Sequence, residues 1–328
     1  MMTRLELSAD SFALKDVFTI SRGSRTHARV VTARLSRDGV TGRGECVPYA
    51  RYDETVDGVM ANLEGVADDI AAGRLDRLGL QDRLPGGAAR NALDCAFWDL
   101  EAKISGKPVH VLAGLSAPKP VTTAFTLSLA DAQTMRAKAA ESADRPLLKL
   151  KLGGEGDIAR LEAVRAGAPA STIVVDANEA WTTDLYEEIA PHLIKLGVAM
   201  VEQPLPAGAD EALAEIARPL PVCADESCHD RTSLAALKGR YDMVNIKLDK
   251  TGGLTEALAM KREAQAAGFS IMSGCMVGSS LAMAPAFLVA QDVAFVDLDG
   301  PLLLAEDRDC AIRYDGSIMH PPDSDLWG

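Results

Sequence analysis

Apolar and polar positions follow two textures along the chain, and the change between them falls near residue 118. Before it, a period of two runs through Arg4–Leu14 and Arg29–Leu35, the pattern of half-buried strands. Arg37-Asp38-Gly39 is a turn sequence, and Val40–Cys46 reads as the strand returning from it. Helical periodicity follows over about 55–73 and 87–104, the second stretch halting at Gly106-Lys107-Pro108. Beyond residue 118, short apolar runs recur at a nearly fixed interval: Thr122–Leu127, Leu147–Lys151, Thr172–Asp176, Val198–Glu202, Pro221–Asp225, Met243–Lys247, Phe269–Gly274 and Ala294–Leu298. Most gaps between them carry a helical pattern, as in Asp157–Ala166, Leu185–Leu196 and Leu254–Ala267. Eight strands alternating with helices predict a closed parallel β/α barrel rather than an open doubly wound sheet. A hairpin sequence, Tyr314-Asp315-Gly316-Ser317, predicts a tail that returns to the first region. The expected organisation is an α+β unit over 1–118, joined by the tail 305–328, and a barrel over 119–304.

The last residue of each run changes the picture from fold to chemistry. Lys151, Asp176, Glu202, Asp225 and Lys247 end five consecutive runs, 22 to 26 residues apart, about one β/α unit each. In a barrel these positions converge at the C-terminal mouth, where barrel enzymes keep their active sites. Three carboxylates on neighbouring strands repel one another, and burying them unpaired is costly. A hard divalent cation resolves that conflict, because carboxylate oxygens are its preferred ligands. The two lysines bracket the carboxylates and approach a bound molecule from opposite sides. In Leu147-Leu148-Lys149-Leu150-Lys151-Leu152, alternation puts Lys149 and Lys151 on one face and Leu148, Leu150 and Leu152 on the other. With the leucines toward the surrounding helices, both lysines point inward. Two adjacent ammonium groups should lower the pKa of one, as suits a general base.

Each of these residues also has an ordinary explanation. Lys149 and Lys151 could lie on a solvated edge strand, and Asp176 and Asp225 could cap helices. Those explanations do not account for five ionisable strand ends in register. Gly153-Gly154-Glu155-Gly156 lacks the G-x-G-x-x-G spacing of a dinucleotide loop. Cys223 and Cys228-His229 have the wrong spacing for structural zinc. Cys275 has no strand-end histidine to activate it, and the five histidines at 27, 110, 192, 229 and 320 all fall away from the strand ends.

Composition narrows the partners. The 328 residues are 48% hydrophobic, and 34 Lys+Arg against 47 Asp+Glu leave a net charge of −13. That balance argues against nucleic acid or an anionic membrane as partner. The opening segment lacks the apolar core of a signal peptide, and the apolar stretch at 281–290 is too short to span a bilayer. Six cysteines without a disulfide-like spacing fit a reducing, cytoplasmic setting. Assembly into a homo-oligomer is left open.

The motifs Lys149-Leu150-Lys151, Asp176-Ala177-Asn178, Glu202-Gln203-Pro204, Asp225-Glu226-Ser227 and Asn245-Ile246-Lys247 with Gly252-Gly253 behind it resemble those of the enolase superfamily, in its muconate-lactonising subgroup. The segment Asn91–Gly114 is similar to that family's Trp-Asp helix with Gly-Lys-Pro and Leu-Ala-Gly after it. The resemblance covers essentially the whole chain. It implies a modified TIM barrel, (β/α)7β, under an α+β capping domain. It implies one Mg²⁺ per subunit on Asp176, Glu202 and Asp225, with Lys151 and Lys247 as acid and base and Lys149 as an auxiliary cation. The family reaction removes the proton α to a carboxylate, and the metal stabilises the resulting enediolate. A lysine on each face permits epimerisation. The same pair also serves the elimination of cycloisomerases and o-succinylbenzoate synthase and the racemisation of N-acyl amino acids, so the barrel residues alone leave the reaction open.

Two further segments point to a dipeptide substrate. Asp297 and Asp299 in Phe295-Val296-Asp297-Leu298-Asp299-Gly300 share a face by alternation. Two carboxylates outside the triad suit a cationic group, and the resemblance to dipeptide epimerases implies contact with the substrate's ammonium. Arg22 and Arg25 lie in Phe18-Thr19-Ile20-Ser21-Arg22-Gly23-Ser24-Arg25, in the loop that covers the mouth in that family. A guanidinium binds a carboxylate bidentately, as glutamate at the second position of L-Ala-D/L-Glu would require. Which arginine makes that contact is not legible from the sequence.

Overall fold

The computed structural model describes residues 2–328. Its first region is an antiparallel sheet of β1 (Arg4–Ile20), β2 (Gly23–Arg37) and β3 (Val40–Cys46), in that order. β1 and β2 run well beyond the predicted bounds. After a register irregularity between Ala13 and Phe18, the pairs Phe18–Arg25, Thr19–Ser24 and Ile20–Gly23 continue the ladder to the tip. Lys15-Asp16-Val17 breaks the alternation there, so the sequence pattern stops where the hairpin does not. The predicted helix over 55–73 is two helices, Val56–Glu64 and Ala67–Ala71, separated at Gly65-Val66. The long helix Ala88–Ser105 lies flush against β3. A Cβ on Gly44 would come within 2.1 Å of the Ala92 carbonyl oxygen, and one on Gly42 within 2.3 Å of the Leu100 nitrogen. Only glycine allows that approach.

The second region is an eight-stranded parallel barrel. Its strands are β5 (Phe125–Leu127), β6 (Leu147–Lys151), β7 (Thr172–Asp176), β8 (Val198–Glu202), β9 (Val222–Ala224), β10 (Met243–Ile246), β11 (Ser270–Gly274) and β12 (Phe295–Asp297), neighbours in sequence order. The seam between β5 and β12 is drawn together by Ala124 N donating to Val296 O at 2.8 Å and Leu298 N to Thr123 Oγ1 at 2.8 Å. The first predicted run divides at this seam. Val121–Thr122 forms β4 in a separate small sheet with the tail hairpin β13 (Tyr314–Asp315) and β14 (Ile318–Met319), and only Phe125–Leu127 enters the barrel. Asp225 and Lys247 each fall one residue past the paired strand.

The alternation on β6 sorts its residues as predicted. Leu148, Leu150 and Leu152 are buried in the shell between barrel and helices. Leu147 joins Ala124, Val174, Met200, Cys223, Met243 and Met272 in an apolar floor inside the barrel. Lys149 and Lys151 stand above that floor. The apolar stretch at 281–290 is the helix Ser280–Val289, in which every residue is buried. Among the described residues no helix is long and apolar enough to cross a membrane. The chain ends against the first region: Trp327 Nε1 donates to Cys95 O at 3.0 Å and Gly328 N to Asp99 Oδ1 at 2.7 Å.

Candidate active site

Strand register brings the five ionisable strand ends together. Lys151 pairs across the ladder with Asp176, and Asp176 with Glu202. Lys151 Nζ lies 2.6 Å from Asp176 Oδ2, and Lys247 Nζ 2.7 Å from Asp225 Oδ2, at opposite ends of the carboxylate row. Lys149, only 1% exposed, reaches Asp297 Oδ2 at 2.7 Å, Glu202 Oε2 at 2.6 Å and Asp176 Oδ2 at 3.4 Å. One oxygen from each of Asp176, Glu202 and Asp225 lies within 4.8 Å of the others. That spread is on the scale of an octahedral site with bonds of about 2.1 Å. Neither Asp176 nor Asp225 caps a helix.

Charge in this cluster is governed by the carboxylates across the barrel. Burial opposes the charged form of Lys149, yet Asp297, Glu202, Asp176 and Asp225 outweigh it and hold the ammonium well above its ordinary pKa. Lys247 is likewise buried and held well above its ordinary value, chiefly by Asp225 and Glu202. For both, the carboxylates outweigh the repulsion between neighbouring lysines. Burial also opposes the charged form of Asp176, but Lys151 and Lys149 bring it down to about 2. Glu202 moves up, from burial and from Asp176 beside it.

Several residues that carried no role in the sequence reading hold the triad in place. Asn178 donates to Asp176 from its backbone nitrogen at 2.9 Å and from Nδ2 at 3.2 Å. Asn245 Nδ2 donates to Glu202 Oε1 at 2.8 Å. Lys250 is buried beneath Asp225, donating to its Oδ1 and its carbonyl at 2.6 Å each and to Asn245 O at 2.9 Å. Gln203 Oε1 accepts from Asp225 N at 2.9 Å and Ser227 N at 3.1 Å. Asn178 and Gln203 have φ of 45° and 35°. Such non-glycine strain costs on the order of 1–3 kcal/mol per residue and clusters at functional sites. The asparagines and Gln203 were legible as parts of motifs, and Lys250 as a lysine one helical turn after Lys247.

The mouth is covered by the β1–β2 tip. A small cavity of about 40 Å³, lined by Arg25, Tyr49, Lys151, Asp225, Lys247 and Cys275 among others, lies between them. A larger groove beside Phe125–Ala130 contains none of the strand-end residues. The two arginines differ sharply. Arg22 is committed, donating to Glu226 Oε1 at 2.6 Å, Asn178 O at 2.8 Å, Glu179 Oε2 at 3.0 Å and the Tyr49 hydroxyl at 3.1 Å. Arg25 has no carboxylate partner among the described residues and lies over the rings of Phe18 and Tyr49, 5.6 and 5.7 Å from their centroids. Burial, with Arg22 nearby, lowers its pKa.

Asp299 lies past the end of the strand that carries Asp297. β12 ends at Asp297, and Asp299 begins the short helix Gly300–Leu303, where it accepts from Thr126 N at 2.6 Å across the barrel seam. Asp297 pairs with Lys149 through Oδ2, while its Oδ1 is buried without a hydrogen-bond partner among the described residues. Burial and Asp297 push Asp299 up to about 7. One histidine lies nearer the mouth than its sequence position suggests: His229 stacks edge-on against Tyr52 at 4.8 Å and contacts the Glu226 carbonyl at 3.1 Å. Burial pushes the Cys275 thiol well up, leaving it neutral.

The comparisons with known proteins agree with this geometry. Residues 134–311 match the family model described as "Enolase C-terminal domain-like", and residues 2–114 match the N-terminal domain of the mandelate racemase / muconate lactonizing enzyme family. The L-Ala-D/L-Glu epimerase of Escherichia coli (strain K12) is 46% identical over 97% of this chain and 100% of its own length. An N-acetyl-D-glutamate racemase of a Pseudoalteromonas species is 48% identical over 88% of this chain and 91% of its own. An enolase family member from Agrobacterium tumefaciens, homologous to dipeptide epimerases and solved with sodium and L-Ala-L-Glu, superposes with a TM-score of 0.97 at 56% identity, covering 99% of this chain and 100% of that one. Strand-end chemistry, barrel and cap place the chain in the mandelate racemase / muconate lactonizing enzyme family of the enolase superfamily.

Proposed function

We propose that the protein interconverts L-Ala-L-Glu and L-Ala-D-Glu by moving the proton on the α-carbon of the glutamate. The observation that carries this reading is the pair of lysines at opposite ends of one carboxylate row, Lys151 at Asp176 and Lys247 at Asp225. One lysine takes the α-proton and the other returns a proton from the opposite face, which inverts the centre. Asp176, Glu202 and Asp225 would hold one Mg²⁺ per subunit, the buried all-oxygen donor set being suited to a hard cation. When bound, that ion supplies positive charge where the substrate's α-carboxylate gains charge.

Arg25, the guanidinium without a carboxylate partner, binds the glutamate side chain, and Arg22 pins the loop that carries it. The open Oδ1 of Asp297 receives the substrate's ammonium, while Asp299 orients the seam behind it. Residues 1–118 with the tail 305–328 serve as cover, and 119–304 as the catalytic barrel. The setting is cytoplasmic, in the recycling of cell-wall peptides.

A second reading, racemisation of an N-acylated glutamate, is favoured by the Pseudoalteromonas relative. It keeps Arg25 and both lysines and needs no ammonium site. Proton NMR in D₂O with Mg²⁺ separates the two. Loss of the Glu α-proton signal from L-Ala-L-Glu, with the other diastereomer appearing, supports the dipeptide reading. Exchange in N-acetylglutamate alone replaces it with the second, and exchange in neither rejects both.

A further inference from the structure

The helix Ala88–Ser105 carries a run of buried polar side chains, Arg90, Asn91 and Asp94, that no step of the proton transfer uses. All three reach one segment of the barrel, the turn that follows Lys247. Asn91 Nδ2 donates to Asp249 Oδ1 at 2.8 Å, and the same oxygen accepts from Val47 N, just past β3, at 2.9 Å. Arg90 donates to the carbonyls of Thr251 at 2.7 Å and Gly252 at 3.2 Å. Asp94 accepts from Thr255 N at 3.0 Å and from its hydroxyl at 2.6 Å. Gly253, with φ of 112°, lets the chain pass within 2.5 Å of Asp94 as measured from an added Cβ. Lys247 is bound into this turn, because its carbonyl accepts from Lys250 N at 3.0 Å and Thr251 N at 3.1 Å.

Lys151 has no such connection. The turn after it is built from barrel residues: Leu152 N donates to Asp176 O at 2.9 Å, and Asp157 gathers Gly153 N, Gly154 N and Trp181 Nε1 at 2.7 to 3.1 Å. The cap touches that side at the turn after Asp176, through Ser21 Oγ to Asn178 O at 2.9 Å and Arg51 to Glu179 at 2.8 Å, and not at the turn after Lys151. The helix itself cannot yield, since Gly42 and Gly44 press β3 directly onto it.

We propose that Asn91 and Asp249 are positioning residues through which the capping domain sets the reach of Lys247, and that Lys151 is positioned without them. The inference rests on the two-lysine reading above. Misplacing a reacting group by about 1 Å costs up to about 100-fold in rate, so loosening this tether should be felt on one face of the substrate only.

The test follows solvent deuterium into the glutamate α-carbon separately from L-Ala-L-Glu and L-Ala-D-Glu, with Mg²⁺-loaded enzyme. Lys247→Ala first identifies the diastereomer whose exchange depends on Lys247. In Asn91→Ala and Asp249→Ala, exchange from that diastereomer should fall about tenfold or more, with the other changed by no more than about twofold. The untouched diastereomer reports that the barrel is folded. Asn91→Ala leaves the Val47 contact in place, so it decides the matter even where Asp249→Ala does not fold. Equal falls for both diastereomers in Asn91→Ala, or no fall in either, overturn the proposal. Wild-type enzyme that exchanges neither diastereomer instead rejects the dipeptide reading and is told apart by that.

Discussion

Lys151 and Lys247 carry the same ammonium at the same level of one barrel, each against a carboxylate at 2.6 to 2.7 Å. Their supports differ. Lys151 ends a fully paired strand, while Lys247 lies one residue past its strand and starts a one-turn helix held from outside by the cap. Carboxylates face both, yet Lys250 adds a second ammonium on Asp225 with no counterpart beside Asp176 except Lys149. The contrast teaches that a chemically symmetric pair can be mechanically asymmetric. The barrel fixes one base through its own ladder, and the second depends on a neighbouring domain.

The largest effect that can break the comparison is loss of either lysine. Lys151→Ala and Lys247→Ala should each lower epimerisation about 1,000-fold or more, within the range of general acid–base catalysis. Each should retain α-proton exchange from one diastereomer, and the two should retain opposite ones. Deuterium incorporation followed by NMR checks this, and equal loss of both exchanges in either variant breaks the two-face assignment.

The arginines come next. Charge-assisted hydrogen bonds contribute about 1.5–3 kcal/mol, so Arg25→Met should lower kcat/KM for L-Ala-L-Glu about 10- to 100-fold, mostly through KM. The same variant should leave the use of L-Ala-L-Gln nearly unchanged. Arg22→Met removes a loop anchor and should penalise both dipeptides alike. Steady-state kinetics with the two substrates sorts the roles.

A smaller effect is expected at the eighth strand. Asp297→Asn should lower kcat/KM for the dipeptide about tenfold, the scale of one charged hydrogen bond, while Mg²⁺ affinity by calorimetry stays the same. An unchanged kcat/KM removes the ammonium role.

The smallest effect concerns stability. Burial pushes Asp249 up to about 7 against an ordinary 3.8. The folded state then binds more protons than the unfolded chain between those values, so stability falls as pH rises through that window. Asp249→Asn cannot ionise and should flatten the decline of melting temperature between about pH 4 and 7. An identical pH slope in wild type and variant would falsify the assignment of that proton to Asp249.

Much of the site was legible from spacing. β6, β7 and β8 end where the apolar runs end, because a strand buried on both faces stays apolar until it reaches the mouth. Legibility failed where chain and pattern part company. The run Thr122–Leu127 reads as one strand but crosses between two sheets, a choice made by Thr123 and the distant Leu298. Asp299 reads as a strand residue by alternation, but it lies past β12, and its bond to Thr126 across the seam was not legible. The upward shift of Lys149 was not legible, because Asp297 and Glu202, which hold it as an ammonium, lie far away in sequence.

By itself the sequence determined the period of the barrel, the residue types at its mouth and the family, since these depend on local pattern and on spacing along the chain. Tertiary structure alone decided which arginine stays free, which aspartate closes the seam, and which lysine answers to the capping domain. Those outcomes are settled by hydrogen-bond partners more than a hundred residues apart. A pairing at that distance is fixed by how two packed surfaces meet, and no local pattern encodes it.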